Sequence, residues 1–159
     1  MLPEQEYVGL LIGAARRGIK LAVQRRARAL RLTAQQFWFL NAARELPGAS
    51  LGEIARRQRM GAPTASRLAD GLGRRGLLRI AADDRDRRAV RVLLTPAGIK
   101  LAERVHPIAL SLRAAVVRGM SRREQAALCA ALKRVLANVE DFAEGGDAPD
   151  VGARAGGGA

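Results

Sequence analysis

Cysteine and histidine are almost missing from this chain: of 159 residues, one is Cys and one is His. A lone Cys excludes an internal disulfide framework, and together with a lone His it leaves no ligand set for a structural zinc site. No apolar run approaches the ~20 residues that a membrane-spanning helix needs. The opening Met1-Leu2-Pro3-Glu4-Gln5-Glu6 is acidic where a signal peptide would be basic, so the expected location is cytoplasmic. The sequence holds no nucleophile–base pair, P-loop or carboxylate dyad, which disfavours catalysis, and nothing in it calls for a cofactor. Internal repeats are missing too. The length makes one domain the default, long enough to bury a core without staples.

Lysine is also scarce. Of 28 basic residues 25 are Arg and 3 are Lys; against 15 acidic residues the net charge is +13. Such an excess points to a polyanion, nucleic acid first. With 31 Ala beside the arginines, part of it can reflect genome-wide composition, so its distribution says more than its size. Residues 1–40 carry +5, residues 41–95 carry +6 and residues 96–159 only +2.

What the chain has in abundance is helix start signals. Thr33-Ala-Gln-Gln36, Ser50-Leu-Gly-Glu53 and Ser121-Arg-Arg-Glu124 are capping boxes, in which a hydroxyl accepts from the third helical amide and the Glu or Gln reaches back. Thr95-Pro96 is a fourth start, with Pro at the first helical position. The spacing predicts helices over about 4–30, 34–45, 51–58, 62–75, 96–118 and 122–142. On the first, Tyr7, Leu10, Leu11, Ala14, Ala15, Leu21 and Ala22 tend to one side. Gly76 is an expected terminator, and Leu77–Ile80 and Ala89–Leu94 are expected strands around a charged turn. Pro107 predicts a kink or break near Val105-His106. From Gly145 onward, 6 of 15 residues are Gly, and disorder is expected.

Residues 50–80 hold the pattern with functional content. Leu51, Ile54 and Ala55 form a core face on one short helix, and Ala65, Leu68, Ala69 and Leu72 form another on the next. Between them, Gly61 is expected to supply a positive φ. The opposite face presents Thr64, Ser66, Arg67, Asp70 and Arg74. Short hydroxyls and an Arg at the start of the second helix suit a helix-turn-helix reader of duplex DNA, and free amides there favour a phosphate. On the helix pair alone, a solvated two-helix corner fits equally well. The stretch Asp83-Asp84-Arg85-Asp86-Arg87-Arg88 between two strands tips the balance. A hairpin tip with three arginines can enter a narrow minor groove, and Asp can hold an Arg fork in orientation; the bland alternative is a self-neutralising loop.

Taken in order, Asp86-Arg87-Arg88-Ala-Val-Arg-Val-Leu-Leu94-Thr95-Pro-Ala-Gly98 resembles the multiple antibiotic resistance regulator (MarR) family, whose hallmark is an Asp-x-Arg wing followed by Leu-Thr-x-x-Gly. The resemblance extends through Leu32-Thr33, Gln36-Phe37, Leu51, Glu53-Ile54-Ala55, Pro63-Thr64, Ser66-Arg67-Leu68 and Gly76-Leu77-Leu78, and covers about residues 5–142. It implies a mainly α fold, a winged helix-turn-helix with a two-stranded β wing and long terminal dimerisation helices. One domain would span 1–144, with dimerisation helices about 4–30 and 96–142, a DNA-binding part about 33–95, and a tail over 145–159.

By the same resemblance, Pro63, Thr64, Ser66 and Arg67 match the start of the recognition helix, Arg88 matches the wing arginine, and Asp86 its orienting partner. With Asp70, Arg74, Arg85 and Arg87 they make the expected DNA-binding set. The implied partners are double-stranded DNA, a second copy of the chain and a small aromatic or lipophilic effector, with no membrane. The implied role is a transcriptional regulator, usually a repressor, acting on a pseudo-palindromic operator. Leu11, Ala15, Phe37 and Trp38 are the candidate effector pocket, although for the run Phe37-Trp38-Phe39 core packing is the preferred reading. Gly71 and Gly73 depart from a good helix, each costing roughly 1 kcal/mol relative to Ala, so that half is either soft or tightly packed. Cys129 is expected to be a buried structural thiol, because peroxide-sensing members carry their cysteine where this chain has Tyr7 to Leu11. His106 has no partner ligand for zinc sensing. The competing function, from another class, is a basic winged-helix module that binds protein or nucleic acid non-specifically.

Overall fold

The computed structural model describes residues 7–82 and 90–145. The order is α1 (Val8–Ala29), α2 (Ala34–Glu45), α3 (Leu51–Arg57), α4 (Ala62–Arg74), β1 (Leu78–Ala82), β2 (Val90–Leu94), α5 (Pro96–Val116) and α6 (Arg122–Ala143). The chain divides into two compact units, Met1–Val116 and Val117–Ala159. The first is a winged helix-turn-helix: helices followed by a two-stranded antiparallel sheet in which Leu78 pairs with Leu94, Ile80 with Val92 and Ala82 with Val90. The wing tip over 83–89, the tail over 146–159 and residues 1–6 lie outside the described residues.

All three capping boxes form. The Thr33 Oγ1 accepts from the Gln36 amide at 3.1 Å while Gln36 Oε1 accepts from the Thr33 amide at 3.0 Å. Ser50 with Glu53 and Ser121 with Glu124 do the same, at 3.2 and 2.7 Å in each case. Thr95 does more than cap. Its Oγ1 accepts from the Gly98 amide at 3.1 Å and donates to the Gly76 carbonyl at 2.6 Å, while its own amide donates to Leu77 O at 3.1 Å.

Helix ends are less conventional. α4 closes in a Schellman turn: Gly76 has φ +68° and the Leu77 amide donates to Leu72 O at 3.0 Å. α1 and α3 close the same way, through Leu32 to Ala27 O and Met60 to Ala55 O, both at 3.0 Å. There, however, the left-handed residues are Arg31 (φ 55°) and Arg59 (φ 48°). Gly61, the expected positive-φ residue, has φ −69° and caps α4 instead. The turn needs its left-handed residue directly after the α3 cap at Gln58, and that position is Arg59. An L-residue there costs roughly 1–2 kcal/mol.

The core gathers around α2, which meets α1, α3, α4, α5 and β2. Phe37, Phe39 and Leu40 are fully buried with Val23, Ile54, Leu72, Val92 and Val105. α1 turns a different side to this core than its sequence suggested. Ile19, Val23, Ala27 and Leu30 pack inward, whereas Tyr7, Leu10, Leu11, Ala14, Ala15, Leu21 and Ala22 are exposed. Both sides are apolar enough to be buried, and only one finds a partner within the unit. α5 runs unbroken through Pro107, against the expected break. Pro107 is exposed while Val105 and Ala109 are buried beside it, so the missing hydrogen bond falls on the solvated side and packing holds the axis. α6, described by itself, buries none of its residues, and Cys129 on it is exposed rather than a buried thiol.

Glycines divide into two kinds. A Cβ on buried Gly98 would overlap the carbonyl oxygen of Leu77, so α5 can start against β1 only with glycine there. A Cβ on Gly71 or Gly73 would find nothing nearer than 3.8 Å (Gln36 Nε2) and 3.7 Å (Leu78 O), which is ordinary contact. The second half of α4 is therefore not tightly packed; the glycines simply weaken it. Urea denaturation checks both: Gly98→Ala should lose about 3 kcal/mol through overpacking, whereas Gly71→Ala and Gly73→Ala should each gain about 1 kcal/mol.

Candidate nucleic-acid interface

α4 is amphipathic. Ala65, Ala69 and Leu72 are buried and Leu68 is partly so, while Pro63, Ser66, Arg67, Asp70 and Arg74 lie exposed on the other face and Thr64 is half-buried. No side chain caps its N-terminus, where Gly61 is the N-cap and Pro63 occupies the first turn. Short polar groups and two guanidinium groups thus share one solvent-facing side of a helix whose inner side is fixed by the core. That face can offer hydroxyl donors to phosphate and a flat fork to a guanine edge; its backbone offers less, since Pro63 has no amide hydrogen and the Thr64 and Ala65 amides both donate to Gly61 O at 3.1 Å.

The base of the wing is held against the helix-turn-helix. The Val92 amide donates to Ala49 O at 2.9 Å, Ser50 bridges Arg91, and Arg91 Nη1 donates to Gly48 O at 3.0 Å. The entry to α3 is therefore tied by a single isolated β-bridge to the edge of β2 away from β1. Arg79 is exposed on β1, and Arg75 Nη1 reaches Gln36 Oε1 at 3.5 Å beside the start of α2. Arg85, Asp86, Arg87 and Arg88 belong to the segment outside the described residues.

The sequence missed one cluster. Glu45, at the end of α2, accepts from Arg113 of α5 through both oxygens, at 2.6 and 3.2 Å, and from Asn41 Nδ2 at 3.0 Å. Arg57 Nη2 of α3 lies 3.7 Å from it. Asn41, completely buried, also meets His106 Nδ1 through its Oδ1 at 3.0 Å. The Arg113 hydrogen bond is the largest of the effects that hold the Glu45 carboxyl below its ordinary value of 4.5; burial opposes it, and Asn41 with the charges of Arg113 and Arg57 adds to it. The only legible hint was that Asn41 and Glu45 stand one helical turn apart.

Of the four candidate effector-pocket residues, Trp38 lines a cleft of about 490 Å³ with Arg16, Ile19, Lys20 and Gln24 of α1 and Thr33, Ala34 and Gln35. Phe37 is fully buried and meets Trp38 edge to face at 5.3 Å, so it takes the core-packing alternative. Leu11 and Ala15 are exposed on the outer side of α1 and do not line the cleft. Arg113 stacks over the Trp38 ring at 5.8 Å.

The MarR family sequence profile matches residues 32–89, the span of the helix-turn-helix. Among solved structures, the transcriptional regulator PA3341 is 36% identical, with a TM-score of 0.69 and coverage of 85% of this chain and 99% of that one. The chain belongs to the MarR family. BpsR of Bordetella bronchiseptica, whose DNA binding is regulated by 6-hydroxynicotinic acid, is 30% identical (TM-score 0.67; 82% of this chain, 98% of that chain). A point mutant of MarR from E. coli complexed with operator DNA is 25% identical (TM-score 0.67; 81% and 93%). No curated protein matches the sequence. Among the described residues no helix is long and apolar enough to cross a membrane. As a MarR-family member, the chain is a winged-helix transcription regulator.

The Glu45 cluster gives this regulator an acid-sensitive joint. Its carboxyl is depressed in the folded state, so its stabilisation is present above about pH 4.5 and is lost as pH falls through the lower folded value. The free energy of unfolding of the wild type should therefore drop below pH 4.5, and Glu45→Gln should flatten that acid limb in a pH series of denaturant titrations.

Proposed function

We propose that this MarR-family protein is a homodimeric repressor that reads a pseudo-palindromic duplex with α4 and the wing, and that a small organic anion releases it. The observation that carries this reading is the exposed face of α4, where Ser66, Arg67, Asp70 and Arg74 stand opposite buried Ala65, Ala69 and Leu72. Pro63 and Thr64 begin that face. By the family resemblance, Arg88 is the residue assigned to the flanking minor groove and Asp86 its orienting partner, and Arg85 and Arg87 complete the DNA-binding set. The complex of E. coli MarR with operator DNA supports duplex DNA as the target.

Unpartnered apolar surface supports the homodimer. In the first unit Tyr7 (71% exposed), Leu10 (66%) and Leu21 at α1 and Leu110 and Val116 on α5 are exposed, and in the second Leu128, Leu132, Leu136, Val139 and Phe142 on α6 are exposed. Rows of this kind are what a second copy covers. Residues 1–144 then act as one cytoplasmic DNA-binding and dimerisation domain without enzymatic activity. The regulation of BpsR by 6-hydroxynicotinic acid supports an effector of the aromatic-acid kind. Its place is the cleft of Trp38, where Arg16 and Lys20 supply positive charge beside an indole.

Selection from a randomised duplex library tests the reading. An enriched pseudo-palindrome, with half-sites about 10 bp apart, is the expected result. Equal binding to enriched and scrambled duplex favours the non-specific basic module instead. On the enriched duplex, Arg67→Ala should cost about 1–3 kcal/mol and relax one base position, and Arg88→Ala should lower the salt slope by about one. Trp38 is the only tryptophan, so titration with 6-hydroxynicotinic acid should quench the intrinsic fluorescence and release the duplex in parallel. Quenching lost in Arg16→Gln or Lys20→Gln places the anion; no quenching and no release removes the effector from the reading.

A further inference from the structure

We propose that Glu45 is a positioning residue for DNA reading: its carboxylate fixes the helix-turn-helix on α5, and so sets the separation of the two recognition helices in a dimer. The inference rests on the operator-binding reading above and assigns the joint through which dimer geometry reaches the DNA.

Three helices meet at this one carboxylate. It belongs to the last residue of α2, it receives the Arg113 fork from α5, and Arg57, the last residue of α3, stands 3.7 Å from Oε2. Only the short turn after Arg57 separates this contact from the start of α4 at Ala62. α5 packs on α1, α2 and β2, so α2 is the body between the dimer-type helix and the reading head. α5 also carries exposed Leu110 and Val116, the surface assigned above to the second copy.

The chemistry of the joint suits orientation more than stability. An ion pair whose Arg is 41% exposed contributes little net free energy, because solvent screens it and ordering two long side chains costs entropy. A bidentate fork nevertheless restricts the plane and angle of the guanidinium. The fork is braced on both sides. Trp38 stacks against the Arg113 guanidinium at 5.8 Å, and buried Asn41 holds Glu45 Oε1 at 3.0 Å. A slack joint would leave each half of the dimer folded while freeing the angle between α5 and the helix-turn-helix.

The experiment uses the full chain and the duplex enriched in the selection, with its spacer lengthened or shortened by one and two base pairs. The wild type should prefer its own spacing by about tenfold over either neighbour, because the two helices must meet the groove one turn apart. Glu45→Gln, which keeps the shape and the Asn41 hydrogen bond but loses the charge, should bring all spacings within about threefold. Arg113→Lys, which keeps the charge but loses the fork, should do the same, and it serves where the first variant folds poorly. Melting temperatures are measured alongside. Unchanged spacing preference in both variants overturns the inference alone, as does affinity lost equally at every spacing in step with melting temperature. A chain that enriches no duplex overturns the DNA-binding reading and this inference with it.

Discussion

Four elements are pinned at one backbone junction. Where α4 ends, Gly76 turns left-handed and offers its carbonyl to the hydroxyl of Thr95, the residue between β2 and α5. One residue on, the Leu77 carbonyl takes the Thr95 amide and abuts Gly98. The end of the recognition helix, the first wing strand, the last wing strand and the start of α5 are thereby tied within a few residues. Nothing larger than a hydrogen fits between Gly98 and Leu77, so the spacing of Thr95 and Gly98 is dictated sterically. The Leu-Thr-x-x-Gly pattern is the sequence image of this contact: Thr for its two-way hydroxyl, Gly for its missing side chain.

The second fixed point is the Glu45 cluster on the other side of α2. Between them, the junction at Thr95 governs how the wing leaves α4, and the cluster governs how the head sits on α5. The hydrophobic core around Phe37, Phe39 and Leu40 supplies cohesion, but apolar packing is non-directional. Direction comes from these two sets of polar contacts, one made of backbone and hydroxyl, the other of charge.

Helix starts were legible because their chemistry is local: a cap and its partner are three residues apart, and each of the three boxes in the sequence forms. α2 keeps the boundaries its residues predicted, Ala34–Glu45. Helix ends were less legible. Arg59 takes the left-handed position for which Gly61 looked better suited, and Arg31 takes the one after α1, because the position is set by where the helix stops and not by which residue fits best. The side of α1 was misjudged since its two apolar stripes differ only in what meets them. The Glu45 cluster was invisible for a plainer reason: Asn41 and His106 are 65 residues apart, and Glu45 and Arg113 are 68 apart. In the candidate interface, the face of α4 could be seen from its periodicity, whereas the cleft beside Trp38 could not, since Arg16, Lys20 and Gln24 meet Trp38 only through the packing of α1 on α2.

Asn41 also settles a question about the chain's single imidazole. A carboxylate can only accept, so the amide nitrogen of Asn41 must face Glu45 and its oxygen must face His106. Nδ1 of the ring then carries the hydrogen in either charge state, and the neutral tautomer leaves its lone pair on Nε2. The ring thus joins the cluster as a donor, its Nδ1 standing 3.9 Å from the carboxylate oxygen that Arg113 also grips.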